Sequence, residues 1–213
     1  IKVISYEEML EMASLGAKVM QPTSLQDARL NRIDVDVKSS FTNKEGTLIT
    51  KKKNIYSKKN IRGVSFTKND SKITLVGVKD KPGVAASVFK PLSENYINVD
   101  MVVQTSSGNK RETDITFTIK SDDLLKTLRL IKQNKKIICK DLIIDKNVSK
   151  VSIVGVGMVT SPGVTYRMFK ALAKKNINIL VISTSEIKIS VLINKKYITK
   201  AVSALHKEFN LDN

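Results

Sequence analysis

The sequence predicts an α+β fold that contains two modules with the element order βαββαβ, the first inserted into the second. Three observations support this prediction. A repeat relates two parts of the chain, since the motif ITLVGV at 73–78 returns as VSIVGV at 151–156. The second copy ends after its second helix and therefore lacks the fourth strand that completes the first copy. A short β-prone run at 63–66, just ahead of the first copy, can supply the missing strand.

The repeat keeps one spacing over much of its length. Pro82 and Pro162 are 162 − 82 = 80 residues apart, and each is followed by Gly and Val. The same spacing separates further pairs, which are Phe89 and Phe169, Leu92 and Leu172, Ile97 and Ile177, and Asn98 and Asn178. A series of matches in the same order indicates a duplicated module, whereas a single match would be weak support.

Residues 1–50 precede the repeat and are interpreted as the end of a larger domain. Ser5 and Glu8 have the spacing of a capping box, which predicts that a helix begins there and continues through Gly16. Pro22 is expected in the loop after that helix. Periodicity then predicts a helix at 25–30 and strands at 33–37 and 47–50.

Apolar periodicity also assigns the elements of the repeat, which follows a lysine-rich linker at 51–60. In the first copy we expect a strand at 73–78, a helix from Val84, strands at 99–104 and 114–119, a helix at 124–131 and a strand at 140–144. In the second copy we expect a strand at 151–156, a helix around 168–172, strands at 180–183 and 187–193, and a helix at 198–209. The predicted domains are 70–147 for the first module and 61–68 plus 148–213 for the second.

The composition excludes several classes of function. Cys139 is the only cysteine and His206 the only histidine, which excludes intramolecular disulfides, cysteine metal clusters and the usual His-dependent nucleophile pairs. No phosphate-binding loop or pair of metal-binding carboxylates is apparent, and Gly155 and Gly157 lack the third glycine of a dinucleotide loop. We therefore predict no catalytic residue, no metal site and no cofactor in this chain. No apolar run is long enough to suggest a membrane span.

A net charge of +17 raises the alternative of a nucleic-acid-binding protein. The basic residues are scattered over the predicted linker, helices and turns instead of forming one stripe. Nucleic-acid-binding βαββαβ modules generally present aromatic side chains on their central strands. Here the strand at 114–119 carries Phe117, and the strand at 99–104 carries no aromatic residue. Only the charge favours this interpretation, which is kept as an alternative.

Each copy places a Pro-Gly pair between its first strand and its first helix. Gly83 and Gly163 allow the backbone to approach a ligand closely, and the helix N-terminus that follows offers N–H groups to an anion. Asp80, just before the first turn, can pair with an ammonium group. Together these features predict a site for the carboxylate and amino groups of a free α-amino acid. The alternative is that both Pro-Gly pairs are only tight turns.

Polar residues at the strand ends are further candidates for the same sites. Gln104 ends a strand of the first copy, and Thr165 lies in the first helical turn of the second copy. A polar cluster at 183–186 ends the matching strand of the second copy. The alternatives are an exposed strand edge for this cluster and simple turn positions for Asn98 and Asn178.

Longer motifs resemble one known family. Three of them are similar to the C-terminal end of the catalytic domain of aspartokinases, namely SYEEMLEMASLGAKV at 5–19, SSF at 39–41 and GTLI at 46–49. Four resemble the two ACT domains of that family, namely DKPG at 80–83, INVDM at 97–101, TDITF at 113–117 and TSEIKISVLI at 184–193. The resemblance implies that residues 1–50 close an amino-acid-kinase domain and that both modules have the ferredoxin-like ACT fold. The chain departs from the family pattern at 20–23 and at 105–112.

The resemblance implies feedback control of an enzyme. Aspartokinases phosphorylate the side-chain carboxylate of aspartate with ATP and Mg²⁺, on the route to lysine, threonine and methionine. Lysine, threonine or both inhibit them through the ACT domains. The implied partners are these amino acids, a second copy of the chain paired through its ACT domains, and the catalytic domain or subunit, with no nucleic acid and no membrane. The implied location is the cytoplasm, and without the family's ATP-binding segment this chain alone is expected to be inactive.

The resemblance also implies effector sites between paired ACT domains, often across a dimer. Asp80, Gly83, Ala85 and Gln104 are implied for one site, and Asp100, Thr165 and Ser185 for the other. The full set of predicted effector-binding residues is Asp80, Pro82, Gly83, Val84, Ala85, Asn98, Asp100, Gln104, Ser161, Gly163, Val164, Thr165, Asn178, Ser183, Ser185 and Glu186.

Overall fold

A computed structural model of the chain describes residues 1–51, 60–106, 112–158 and 161–211. The chain divides into two compact units. The flanking unit comprises Ile1–Thr67 and Lys150–Asn213, and the inserted unit comprises Lys68–Ser149. Residues 52–59, most of the predicted linker, lie outside the described part of the chain.

The N-terminal segment, residues 1–50, forms the first part of the flanking unit. Its elements are the strand β1 (Val3–Ser5), the helices α1 (Tyr6–Ser14) and α2 (Pro22–Leu30), and the strands β2 (Val35–Val37) and β3 (Thr47–Thr50). The strand β3 lies between the other two, parallel to β1 and antiparallel to β2. Helices and strands share a small apolar core made of Ile4, Tyr6, Met9, Leu25 and Ile49.

The predicted capping box is present at the start of α1. The Ser5 hydroxyl accepts a hydrogen bond from the Glu8 backbone N–H (3.2 Å), and the Glu8 carboxylate accepts one from the Ser5 N–H (3.3 Å). The expected continuation through Gly16 is wrong, because α1 ends at Ser14 and Gly16 adopts a φ of 115°. Pro22 is the first residue of α2 and not part of the preceding loop, since the first helical position needs no N–H donor.

One long strand, β4 (Gly63–Lys79), replaces the two separate strands that the sequence predicts at 63–66 and 73–78. The polar residues between the two runs stay in the strand because their side chains find partners. Asp70 forms an ion pair with Lys120 (3.1 Å), and the Ser71 and Ser121 hydroxyl oxygens are 2.9 Å apart. As a result, β4 contributes residues to both units.

The inserted unit continues with the helix α3 (Val84–Glu94), the strands β5 (Val99–Ser106) and β6 (Glu112–Lys120), the helix α4 (Leu124–Gln133) and the strand β7 (Asp141–Val154). Its strands lie in the order β5-β6-β4-β7, and β6 is antiparallel to both of its neighbours. The core contains Ile73 and Leu75 of β4, Phe117 of β6, and Val88 and Leu92 of α3. Like β4, β7 contributes residues to both units.

The flanking unit adds the helix α5 (Val164–Ala173), the strands β8 (Ile179–Thr184) and β9 (Lys188–Asn194), and the helix α6 (Ile198–Glu208). Its second sheet has the order β4-β7-β9-β8, so the start of β4 takes the fourth position. Beside it, the Arg62 N–H donates to the Val154 carbonyl oxygen (2.8 Å). Strands and helices enclose one apolar core, which includes Ile153, Met168 and Leu205. The predicted α+β fold with two βαββαβ modules, the first inserted into the second, is confirmed.

Candidate functional site

Both predicted helix starts carry a glycine in the left-handed region. Gly83 precedes α3 with a φ of 87°, and Gly163 precedes α5 with a φ of 92°. Among the residues that the structure describes, a Cβ on either glycine would meet no atom within 4 Å, and no side chain caps either helix. The backbone conformation therefore favours glycine at both positions, whereas close packing does not require it.

A cleft of about 440 Å³ lies at the start of α5, entirely within the flanking unit. One wall contains the Pro-Gly turn and the end of the 3₁₀ turn Val156–Met158, and the other wall is the turn between β8 and β9. The lining residues are Met158, Ser161, Pro162, Gly163, Val164, Thr165, Thr184, Ser185, Glu186 and Ile189. This cavity is termed the second-module cleft.

The second-module cleft combines groups that suit a small zwitterion. The N-terminus of α5 presents backbone N–H groups and the positive end of the helix dipole, which stabilise a carboxylate. Glu186 brings a negative charge to the other wall, where it can attract an ammonium group. Hydrogen bonds for the polar parts of a ligand can come from the hydroxyl groups of Ser161, Thr165, Thr184 and Ser185.

Backbone hydrogen bonds hold the two walls of the cleft. The Gly155 N–H donates to the Ile187 carbonyl oxygen (2.9 Å), which joins the end of β7 to the turn between β8 and β9. Within the two walls, further bonds join the Ser161 N–H to Met158 O (3.2 Å) and the Ser185 N–H to Lys188 O (2.9 Å). The walls are thus fixed to each other and to the sheet.

The first-module candidates gather at the corresponding end of the inserted unit. Asp80 is exposed in the turn between β4 and α3. Gln104 pairs with Ile115, and Ile115 pairs in turn with Leu75 of β4. Because Ile115 and Leu75 belong to the core beneath the helices, Gln104 lies on the sheet face that bears α3. The register therefore places Gln104 and the Asp80 turn at one end of this unit.

The residues around the two helix starts differ in their exposure to solvent. Pro82 is exposed and Ala85 is half-buried. Val84 and Val164 are buried and belong to the cores of their units. The two valines can therefore offer an apolar floor to a ligand, whereas polar contacts must come from the backbone and from neighbouring side chains.

Comparisons with known proteins decide the family. The ACT domain family matches residues 73–134 and 151–209. The aspartokinase of Pseudomonas aeruginosa is 46% identical over 212 residues, which is 98% of this chain and 51% of that protein. The ligand-free regulatory subunit of aspartate kinase from Thermus thermophilus is 38% identical, with a TM-score of 0.66 over 71% of this chain and 99% of that chain. The chain belongs to the aspartokinase family.

The family match extends to structures of whole aspartokinases. Aspartokinase III of E. coli, in a T-state complex with lysine and aspartate, is 26% identical over 98% of this chain and 46% of that chain, with a TM-score of 0.74. This aspartokinase chain spans about half the length of the curated relatives it matches. Among its described residues, none of the helices has the length and apolar character that a bilayer-spanning segment needs.

The second-module cleft contains four residues outside the full predicted set, namely Met158, Pro162, Thr184 and Ile189. Thr184 belongs to the polar cluster at 183–186 and Pro162 to the second Pro-Gly pair, so the sequence carried a signal for both positions. Met158 owes its position to the 3₁₀ turn after β7, which the sequence pattern does not predict. Residues 159–160 of this loop and 107–111 of the altered 105–112 segment lie outside the described residues.

Ser183 lies on the sheet face opposite the cleft. It pairs with Ser190, whose hydroxyl contacts Ser152 (2.7 Å) on the face away from the helices. The cause is a register shift between Ile179 and Val181. One extra residue in β8 at this point turns the residues that follow toward the opposite face of the sheet. Thr184 consequently lies on the helix face, where it lines the cleft, and Ser183 does not.

Asn98 and Asp100 lie away from the Asp80 turn within one chain. Asn98 precedes β5 and lines a separate cavity of about 440 Å³, together with Phe89 and Tyr96. Asp100 pairs with Thr118 on the sheet face away from the helices, and its carboxylate accepts a hydrogen bond from the Met101 N–H (2.9 Å). The structure therefore does not bring these two residues together with Asp80 in a single chain.

Asn178 is likewise separated from the second-module cleft. It precedes β8, while Ser185 and Glu186 follow the end of the same strand. A strand of this length extends roughly 20 Å. Within one chain, Asn178 therefore lies beyond the reach of a ligand held at Glu186.

The shifted pKa values of this aspartokinase region belong to groups outside the cleft. Burial raises the pKa of the Cys139 thiol, and the nearby charge of Asp141 adds to the effect. Burial also raises the pKa of the Tyr6 phenol, with a further contribution from Asp34. Among the described residues, no group of three or more His, Cys, Asp or Glu side chains could hold a metal ion.

The aromatic residue on which a nucleic-acid interface would depend is buried. Phe117 is fully buried and packs edge-to-face against Phe89, with ring centroids 5.3 Å apart. A base cannot stack on a side chain that is part of the core. The nucleic-acid alternative is therefore not favoured.

Proposed function

We propose that this aspartokinase region binds lysine, threonine or both in its ACT domains and thereby inhibits the phosphorylation of aspartate. The observation that carries the proposal is the second-module cleft. Its helix N-terminus and Glu186 offer partners for both charges of a free amino acid. The complex of E. coli aspartokinase III with lysine supports this class of ligand.

The first module supplies a second effector site of the same design. Asp80 takes the role of the acidic partner, and the helix start after Gly83 receives the ligand carboxylate. The Gln104 amide adds a hydrogen bond from the neighbouring strand end, and Ala85 contributes apolar contact. The duplication of the module is the reason to expect a duplicated site.

The effector sites are completed by a second copy of the chain, paired through the ACT domains. The strand β5 is an edge of the inserted unit, and β8 is an edge of the flanking unit, where it exposes Leu180 and Ile182. Antiparallel pairing of an edge strand with its copy brings the start of one strand beside the end of the other. Asn98, Asp100 and Asn178 would then meet the ligand bound to the partner copy.

The phosphorylation itself is assigned to the part of the aspartokinase that this chain does not span. That part, on the same polypeptide or on a separate subunit, binds ATP and Mg²⁺, and residues 1–50 close its fold. The chain alone is inactive, and the assembly works in the cytoplasm. An ATP-dependent hydroxamate assay tests this assignment, with no aspartyl phosphate expected from the chain by itself.

Titration calorimetry with L-lysine, with L-threonine and with both together tests the proposed binding. We expect a saturable signal from at least one of the two. Lysinamide and threoninamide are matched controls, because they keep the ammonium group and the side chain but lack the carboxylate that the helix N-terminus receives. Binding of the amides as tight as that of the acids, or no binding of either amino acid alone or together, contradicts the proposal.

A further inference from the structure

Glu8, in the first turn of α1, is a buried carboxylate, only 2% exposed. Its two oxygens accept hydrogen bonds from different parts of the flanking unit. One oxygen receives the Ser5 N–H and hydroxyl as part of the capping box, and the other receives the Val156 N–H (3.1 Å). The charge of Glu8 is compensated by Arg62, whose Nε lies 3.7 Å from the carboxylate. The bond to Val156 connects Glu8 to the 3₁₀ turn after β7.

Val156 connects Glu8 to one wall of the second-module cleft. It is the first residue of the 3₁₀ turn that ends at Met158, and Met158 lines the cleft. The Met158 carbonyl oxygen in turn accepts the Ser161 N–H at the Pro-Gly turn (3.2 Å). A displacement of this wall toward or away from a ligand would therefore act directly on the bond to Glu8.

Glu11 makes an equivalent connection to the opposite wall. Its carboxylate accepts a hydrogen bond from the Lys188 ammonium group (2.9 Å), and both side chains are about three-quarters buried. The Lys188 carbonyl oxygen closes the turn at Ser185, and the following residue, Ile189, lines the cleft. Lys188 thus belongs to the wall that carries Glu186.

Glu8 and Glu11 are three residues apart and therefore lie on the same face of α1. We propose that this acidic face of α1 is a positioning element with two roles. It holds both walls of the second-module cleft (the holding role), and it transmits the presence of a ligand in the cleft to the N-terminal segment (the reporting role). The reporting role rests on the proposed function, whereas the holding role is independent of any ligand. Coupling of this kind is reciprocal, so α1 also affects the affinity of the cleft.

Hydrogen exchange of the whole chain, with peptides covering α1, residues 154–158 and residues 185–190, tests the holding role without ligand. Glu11→Ala removes one connection, and Glu7→Ala is its matched control, because Glu7 lies on the same helix but faces Arg29 at 3.9 Å in the N-terminal segment. We expect exchange at 185–190 to rise about tenfold in Glu11→Ala and to stay unchanged in Glu7→Ala. Glu8→Gln, which keeps an acceptor oxygen, should raise exchange at 154–158 and leave 185–190 less affected.

The same samples with saturating L-lysine or L-threonine test the reporting role. We expect the ligand to change exchange at α1 in the unmodified chain and in Glu7→Ala, but not in Glu11→Ala combined with Glu8→Gln. The affinity measured by calorimetry should fall by roughly fivefold in the combined variant. Unchanged exchange at both walls in Glu11→Ala and in Glu8→Gln would overturn the inference, as would an undiminished response of α1 in the combined variant. Absence of binding to the unmodified chain would instead refute the proposed function, and the experiment without ligand would then decide the holding role alone.

Discussion

Gly16 lies against the backbone of Phe66, so closely that a Cβ on Gly16 would come 2.3 Å from the Phe66 carbonyl oxygen. Gly16 follows α1, and Phe66 lies in the first part of β4. The N-terminal segment and the second module of the flanking unit therefore meet backbone to backbone at this point.

Replacing Gly16 by Ala should lower the free energy of unfolding by about 3 kcal/mol, because the clash adds to the strain of a φ of 115°. Urea denaturation measures the loss. Gly83→Ala is the control, since its φ of 87° is strained but a Cβ would meet no described atom within 4 Å. It should cost only about 1 kcal/mol. Equal losses in the two variants would show that packing against Phe66 contributes nothing.

The buried hydroxyl groups of Ser152 and Ser190 offer a second test, which measures the cost of leaving a buried hydroxyl group without its hydrogen-bond partner. Their oxygens are 2.7 Å apart between β7 and β9. Ser152→Ala leaves Ser190 without this partner and should cost about 1–2 kcal/mol, whereas the double substitution by Ala should cost less than the sum of the single ones. Chemical denaturation of the four proteins of this cycle gives the coupling. Strictly additive losses of stability in the two single variants would contradict an interaction between the two hydroxyl groups.

Glu186 should control the affinity of the second-module cleft for amino acids. Glu186→Gln keeps the shape and the hydrogen-bonding capacity but removes the charge opposite the ligand ammonium group. Binding of the effector should weaken by about tenfold in calorimetry. Glu45→Gln, at an exposed position paired with Lys2, removes the same charge far from the cleft in the sequence and serves as the control. Equal affinities of the two variants would remove Glu186 from the site.

Cys139 should react slowly with iodoacetamide. Burial raises the pKa of its thiol above the ordinary value, so the reactive thiolate fraction at pH 8 is smaller in the folded chain than in the unfolded one. The pH midpoint of the reaction rate should therefore lie higher in the folded chain than in the unfolded one, and unfolding in urea should accelerate the reaction at pH 8.

The same shift predicts a pH dependence of stability. The folded thiol holds its proton to higher pH than the unfolded thiol, so its contribution to stability is complete below the unfolded pKa and is lost as the pH rises through the folded pKa. Cys139→Ala should remove this part of the alkaline destabilisation. An alkylation rate equal to that of the unfolded chain would refute the shift.

The repeat made the fold predictable, because it fixes the element order twice and shows which strand the second copy lacks. The Pro-Gly pairs likewise identified the helix starts where the candidate sites lie. The continuity of β4 was not predictable in this way, since the partners of Asp70 and Ser71 are Lys120 and Ser121, some fifty residues away in sequence. A local pattern does not contain such pairings.

The sequence pattern also could not predict on which face of the sheet the strand-end residues lie. Alternation from Ile179 would put Ser183 on the helix face, but the register shift before Val181 reverses it and turns Thr184 toward the cleft. A similar shift between Asp100 and Val103 puts Gln104 on the helix face of its own unit. Such bulges depend on the partner strand and leave no clear mark in the sequence of one strand.

Because β4 and β7 contribute residues to both units, we expect the two units to fold in a definite order during synthesis. Every strand of the inserted unit has been synthesised once residue 149 is translated, so its four-stranded sheet can close early. The first residues of β4 are made earlier. Their own sheet is complete only after the last part of β7 and β9 have been synthesised. The inserted unit is therefore expected to fold before the flanking unit, with residues 63–67 protected last although they are made before the inserted unit.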